Sequence, residues 1–123
     1  MKILMFGTNK KASLLKRIAR ALSQEKENTI ISVIIDDGEN RDPSLYYTNC
    51  LTTLHKADLL VLELSEPSHG TGFLCREAEK LRKVIIGIYH LKVLEDGVHF
   101  TPSMSMIEYE DESSLLIKLI EYL

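Results

Sequence analysis

The chain has 123 residues, 45% of them hydrophobic and 27% charged, with a net charge of −3 at pH 7 and a pI near 5.8. This is the composition of one globular domain over residues 1–123, long enough to bury a core without disulfides or metal, and it excludes a disordered chain. The acidic balance excludes the nonspecific grip on a nucleic-acid polymer, which needs Lys and Arg on phosphates, and no segment approaches the ~20 apolar residues that span a bilayer.

The stretch "KILMF", residues 2 to 6, reads as a short buried strand that stops at Gly7. The following "KKASLLKRIARALSQEKE" sets Leu14, Leu15, Ile18, Ala19 and Leu22 on one helical face. "TIISVIID", 29 to 36, is β-branched and predicts a second strand, and "DGENRDP", 37 to 43, a polar loop. A helix is expected from Ser44 as N-cap, with Leu45, Cys50, Leu51 and Leu54 on its inner side. "LLVLEL", 59 to 64, suits a central parallel strand buried on both faces.

The turn "SEPSHGTG" then opens into a helix from about Gly72 to Arg82, and "KVIIGIYH" supplies a fourth strand. After a loop with Gly97 and Pro102, "MSMIEY", 104 to 109, predicts a fifth, edge strand. "DESSLLIKLIEYL" closes the chain as a helix with Leu115, Leu116, Leu119 and Ile120 as its apolar stripe and acidic residues where the dipole favours them. Alternating strands and helices imply an α/β fold: a doubly wound three-layer sandwich with a five-stranded, mainly parallel sheet.

Charge is unevenly spread. Residues 1 to 26 hold Lys2, Lys10, Lys11, Lys16, Arg17, Arg20 and Lys26 against Glu25 alone, whereas Glu108, Glu110, Asp111, Glu112 and Glu121 face only Lys118 near the other end. Cys50 and Cys75 form neither a disulfide framework nor a CxxC pair, and the first apolar run is too short for a signal peptide, so the expected location is cytoplasmic.

In such a sheet ligands bind beyond the carboxyl ends of the central strands, where "GTNKK" and "SEPSHGTG" would lie side by side. Gly7 permits close backbone approach, Thr8 supplies a hydroxyl and Lys10 a positive charge. Ser68, Gly70 and Gly72 offer a hydroxyl and N–H groups at a helix start. Together they describe a phosphate pocket, although glycines at strand ends also serve turn geometry alone. His55, His69, His90 and His99 make no metal-ligand spacing and no cofactor is expected; His69 alone sits in the phosphate-side turn. Glu63, between Leu62 and Leu64, reads as a hydrogen-bonded carboxylate at the solvent edge of its strand.

"ADLLVLELSEPSHGTGFLCREAEKLRKVIIGIYH", 57 to 90, resembles the signature of the 2′-deoxynucleoside 5′-phosphate N-hydrolases within the nucleoside 2-deoxyribosyltransferase superfamily. The shared layout is Ala-Asp before a hydrophobic strand, a Pro-Ser turn, Gly-x-Gly, a helix and another strand; "KILMFGTNKK" resembles the family's first strand and loop. The resemblance implies a Rossmann-like homodimer that recognises a deoxynucleoside monophosphate, with phosphate and sugar contacts at Gly7, Thr8, Lys10, Ser68 and Gly70.

It also implies a catalytic Tyr, Asp and Glu at positions that here read Leu4, Cys50 and Leu74. In the family the Glu attacks the anomeric carbon and the Asp assists proton transfer; a leucine does neither. Cleaving an N-glycosidic bond builds oxocarbenium character that a carboxylate must meet, and acid–base assistance alone is worth about 10²- to 10⁴-fold.

Glu77 is the first substitute, three residues on and roughly 4.5 Å further along the helix; its ordinary reading is a solvated carboxylate near Arg76 or Lys80. Cys50 and Cys75 read as packing residues. Three functions stay open: a nucleoside monophosphate-binding protein with impaired catalysis, an active N-glycosidase or deoxyribosyltransferase with relocated groups, and a noncatalytic dimeric interaction protein with a vestigial pocket.

Overall fold

The computed structural model describes residues 1–36, 43–66, 68–93 and 104–123. The polar loop expected over 37–42, Pro67 of the turn, and the loop with Gly97, His99 and Pro102 lie outside the described residues.

In chain order the elements are β1 (Lys2–Thr8), a 3-10 turn (Asn9–Lys11), α1 (Ala12–Glu25), β2 (Ile30–Asp36), α2 (Pro43–Lys56), β3 (Leu59–Glu63), α3 (His69–Lys80), β4 (Val84–His90), β5 (Met104–Tyr109) and α4 (Glu112–Tyr122). The strands form one sheet in the order β2-β1-β3-β4-β5, and every pairing is parallel. Strand order reverses between β1 and β3, which makes their carboxyl ends the switch point where α/β sheets bind ligands.

Alternation along the strands builds both cores. Ile3, Met5, Leu59 and Val61 point to the face covered by α1 and α4, together with Leu15, Ile18, Leu22, Leu115 and Leu119. Leu4, Phe6, Leu60 and Leu62 point to the opposite face and meet Cys50 and Leu54 of α2 and Leu74 and Ala78 of α3. Fully burying one such Leu or Ile side chain is worth about 1.5–3 kcal/mol, so the two-sided strands β1 and β3 anchor the three layers. The helix stripes read from α1 and α4 are the ones that pack, with Leu14, Leu116 and Ile120 at the margins. Asp111 caps α4, its side chain accepting from the Ser114 N–H at 2.8 Å.

Two helix starts and one side chain differ from expectation. α2 begins at Pro43, so Ser44 lies inside the first turn rather than capping it; proline is at home there because an N–H in that turn has no intrahelical acceptor to lose. Leu45, expected inside, is 69% exposed. α3 begins at His69, not near Gly72, because the Ser68 side chain accepts from Thr71 N–H and starts the helix early, which moves Leu74 from the first turn to the second.

Candidate functional site

The two turns do lie side by side. Thr8 ends β1, and Lys10 follows in the 3-10 turn; across from them, the segment after β3 carries Glu66. Thr8 Oγ1 donates to Glu66 Oε2 at 3.5 Å, and Lys10 Nζ is 3.4 Å from Glu66 Oε1. At the start of α3, Ser68 Oγ accepts from Thr71 N–H at 3.2 Å and lies 3.1 Å from Thr71 Oγ1. Its hydroxyl is thus a helix cap with one further hydrogen-bonding capacity left to share.

The glycines separate into two kinds. A Cβ on Gly70 would stand 2.6 Å from Phe6 Cζ and 3.0 Å from Asp36 Oδ2, and one on Gly7 would stand 2.6 Å from Leu15 Cδ1. Both are therefore required by close packing. At Gly72 a Cβ would meet nothing within 4 Å, so this is the glycine with space beside its backbone. His69 is exposed at the same helix end.

Leu4, Cys50 and Leu74 come together. All three belong to the apolar cluster under α2 and α3, and none is more than 1% exposed. Leu64 and Phe6 pack in the same cluster, so the space is filled by hydrocarbon. Glu77 is not at this place: its carboxylate pairs with Lys80 Nζ at 3.2 Å on α3. Cys75 Sγ donates to Glu79 Oε1 at 3.4 Å one turn along.

On the opposite face the sequence reading missed a polar network. Glu63, expected at a solvent edge, is 1% exposed and fully hydrogen-bonded. Tyr109 OH at the end of β5 donates to Glu63 Oε2 at 2.5 Å, Ser65 Oγ donates to the same oxygen at 3.1 Å, and Ser65 N–H donates to Oε1 at 2.5 Å. Ser65 Oγ in turn accepts from His90 N–H at 2.8 Å, and the His90 ring meets Tyr109 edge-on with centroids 5.5 Å apart. Burial, first, and then the bond and charge of Glu63 raise the Tyr109 hydroxyl well above its ordinary pKa. The signal for this in sequence was a carboxylate inside an apolar strand run, which cannot stay buried without partners.

Among the described residues no group of His, Cys, Asp and Glu is placed to hold a metal ion, and no helix is long and apolar enough to cross a membrane. A groove of about 380 Å³ lined by Lys2, Ile30, Asn49, Thr53 and Lys56 opens at the amino end of β1 and β2, the far end of the sheet from the turns.

No family model matches the chain. It is 31% identical over 83 residues to a curated protein of Syntrophotalea carbinolica named "Putative 2'-deoxynucleoside 5'-phosphate N-hydrolase 1". The match covers 65% of this chain and 58% of that relative, so the chain spans less than two thirds of the relative's length. In structure it is similar to the Clostridium botulinum CMP N-glycosidase BcmB, with a TM-score of 0.69 at 19% identity over 95% of this chain and 98% of that one. A conserved protein from Enterococcus faecalis V583 is similar at a TM-score of 0.63 and 14% identity, covering 100% of this chain and 99% of that one. The resemblance read from residues 57 to 90 is borne out as a similarity: the chain is similar in sequence to a curated protein named as a putative 2′-deoxynucleoside 5′-phosphate N-hydrolase, and its Rossmann-like α/β fold is like that of the CMP N-glycosidase.

Proposed function

We propose that this protein binds a nucleoside monophosphate at the β1 and β3 turns and does not cleave its N-glycosidic bond efficiently. The observation that carries the reading is the burial of Leu4, Cys50 and Leu74 in one apolar cluster, where the family resemblance expects a Tyr, an Asp and a Glu. Without a carboxylate there, positive charge developing at the anomeric carbon has no counter-charge and no covalent partner.

Binding is the half that remains. Thr8, Lys10 and Ser68 supply donors, Gly72 leaves room for a ligand beside its backbone, and Gly7 and Gly70 allow the turns to sit closely on the core beneath them. The reading extends to one domain over residues 1–123, to a homodimer, and to the cytoplasm.

Ligand-observed NMR with a mixture of deoxynucleoside and ribonucleoside monophosphates tests it, with free-base signals followed for a day and light scattering on the same sample for the dimer. The expected result is saturation transfer without base release, at twice the 14.0 kDa monomer mass. Base release that disappears in Glu77→Gln would instead identify an active glycosidase or transferase with a relocated carboxylate. A dimer with no saturation transfer would identify an interaction protein whose pocket is vestigial.

A further inference from the structure

The two β1-turn donors that the proposed function assigns to a phosphate already share one partner. Thr8 Oγ1 and Lys10 Nζ each take a different oxygen of the Glu66 carboxylate, at 3.5 and 3.4 Å. Two oxygens on one planar anion, reaching a hydroxyl and an ammonium on the same turn, is the contact pattern that two phosphate oxygens would make there.

We propose, resting on that reading, that Glu66 is a built-in competitor for the ligand's phosphate and so sets how strongly the site discriminates phosphorylated from unphosphorylated nucleosides. The backbone that presents it is fixed. Ser65, one residue before, is held through its N–H by Glu63 and through its hydroxyl by Glu63 and His90 N–H. The Glu66 side chain itself is not locked: it is 39% exposed, Lys10 is 78% exposed, and both distances are at the long limit of a hydrogen bond.

Such a solvent-screened pair is weak, so a phosphate displaces it at small cost, but the displaced carboxylate remains close to a ligand of nearly two negative charges. Asp36 Oδ2, beside Gly70, adds a second carboxylate to the same neighbourhood. Lys11 does not offset it, because its Nζ lies 6.0 Å above the Tyr109 ring rather than at Glu66. Among the described residues the phosphate end thus sets the Lys10 ammonium beside the Glu66 carboxylate, with Asp36 nearby.

The test is titration calorimetry of wild type and Glu66→Gln with a deoxynucleoside monophosphate, the matching unphosphorylated deoxynucleoside and inorganic phosphate. The glutamine keeps the side-chain length and removes the charge. The expected result is monophosphate and inorganic phosphate binding tightened by about three- to tenfold, with the unphosphorylated nucleoside unchanged within about twofold. Equal monophosphate affinity in the two proteins, or equal tightening of nucleoside and monophosphate, overturns the role of Glu66 while leaving nucleotide binding in place. Absence of binding by either protein to all three ligands overturns the binding reading and this inference with it.

Discussion

A buried carboxylate is costly unless each oxygen is satisfied, and Glu63 at the end of β3 meets that requirement through Tyr109 at the end of β5 and Ser65 just after β3. Tyr109→Phe removes one donor while preserving the ring that packs in the core. It leaves Glu63 Oε2 with only Ser65 Oγ among the described donors and is expected to cost about 1–3 kcal/mol in urea unfolding. The pH dependence has a definite sign. Because the folded state holds the Tyr109 proton more tightly than the unfolded chain does, its contribution is fully present below the ordinary tyrosine value of about 10 and is lost as pH rises above it. Wild type should therefore lose stability between pH 9.5 and 11, values set by about that reference pKa, more steeply than Tyr109→Phe. Parallel profiles would show that this hydroxyl is not coupled to folding.

At the scale of elements, α2 and α3 close the place where the family resemblance expects chemistry, each contributing an apolar residue to one cluster, Cys50 and Leu74. Returning a carboxylate alone does not recreate a site. Leu74→Glu would bury an unpaired charge among Leu4, Phe6 and Leu54 and is expected to destabilise the fold by about 3–5 kcal/mol, read by thermal unfolding, with no base release from a monophosphate. A stable Leu74→Glu protein that releases base would mean the cluster is easily opened. The strands, the stripes of α1 and α4 and the juxtaposed turns were legible in the sequence because hydrophobic period and buried two-sided runs are local signals. The helix starts were less so: whether α3 waits for Gly72 depends on which side chain reaches a free N–H, and Ser68 does so. The Tyr109 partner of Glu63 was illegible, because it is 46 residues away and meets Glu63 only once β4 sets the spacing between β3 and β5. Glu66 was illegible for the same reason, its contacts lying on a turn 58 residues earlier.

Over the whole molecule, the topology brings the two ends of the uneven charge distribution together. The basic first segment folds into α1 and the acidic last segment into α4, and these two helices lie together on one face of the sheet. Arg17 Nε donates to Glu112 Oε1 at 2.6 Å between them, and Lys118 Nζ donates to the Glu108 carbonyl at 2.5 Å, which spends the lone base of the acidic end on a strand edge. Within the basic stretch, Arg17 is thus answered by Glu112 and Lys10 by Glu66, each a carboxylate from a distant part of the chain. The Arg17 and Glu112 side chains are 59% and 43% exposed, so proximity does not make the pair strong. A double-mutant cycle of Arg17→Ala and Glu112→Ala in urea unfolding is expected to give a coupling of about 0.2–1 kcal/mol at low salt, falling toward zero at about 0.5 M salt as screening shortens the reach of exposed charges. A coupling that persists undiminished at high salt would mean that the helices are joined by a desolvated contact, and that charge complementarity is a structural element of the α1–α4 face and not only a consequence of it.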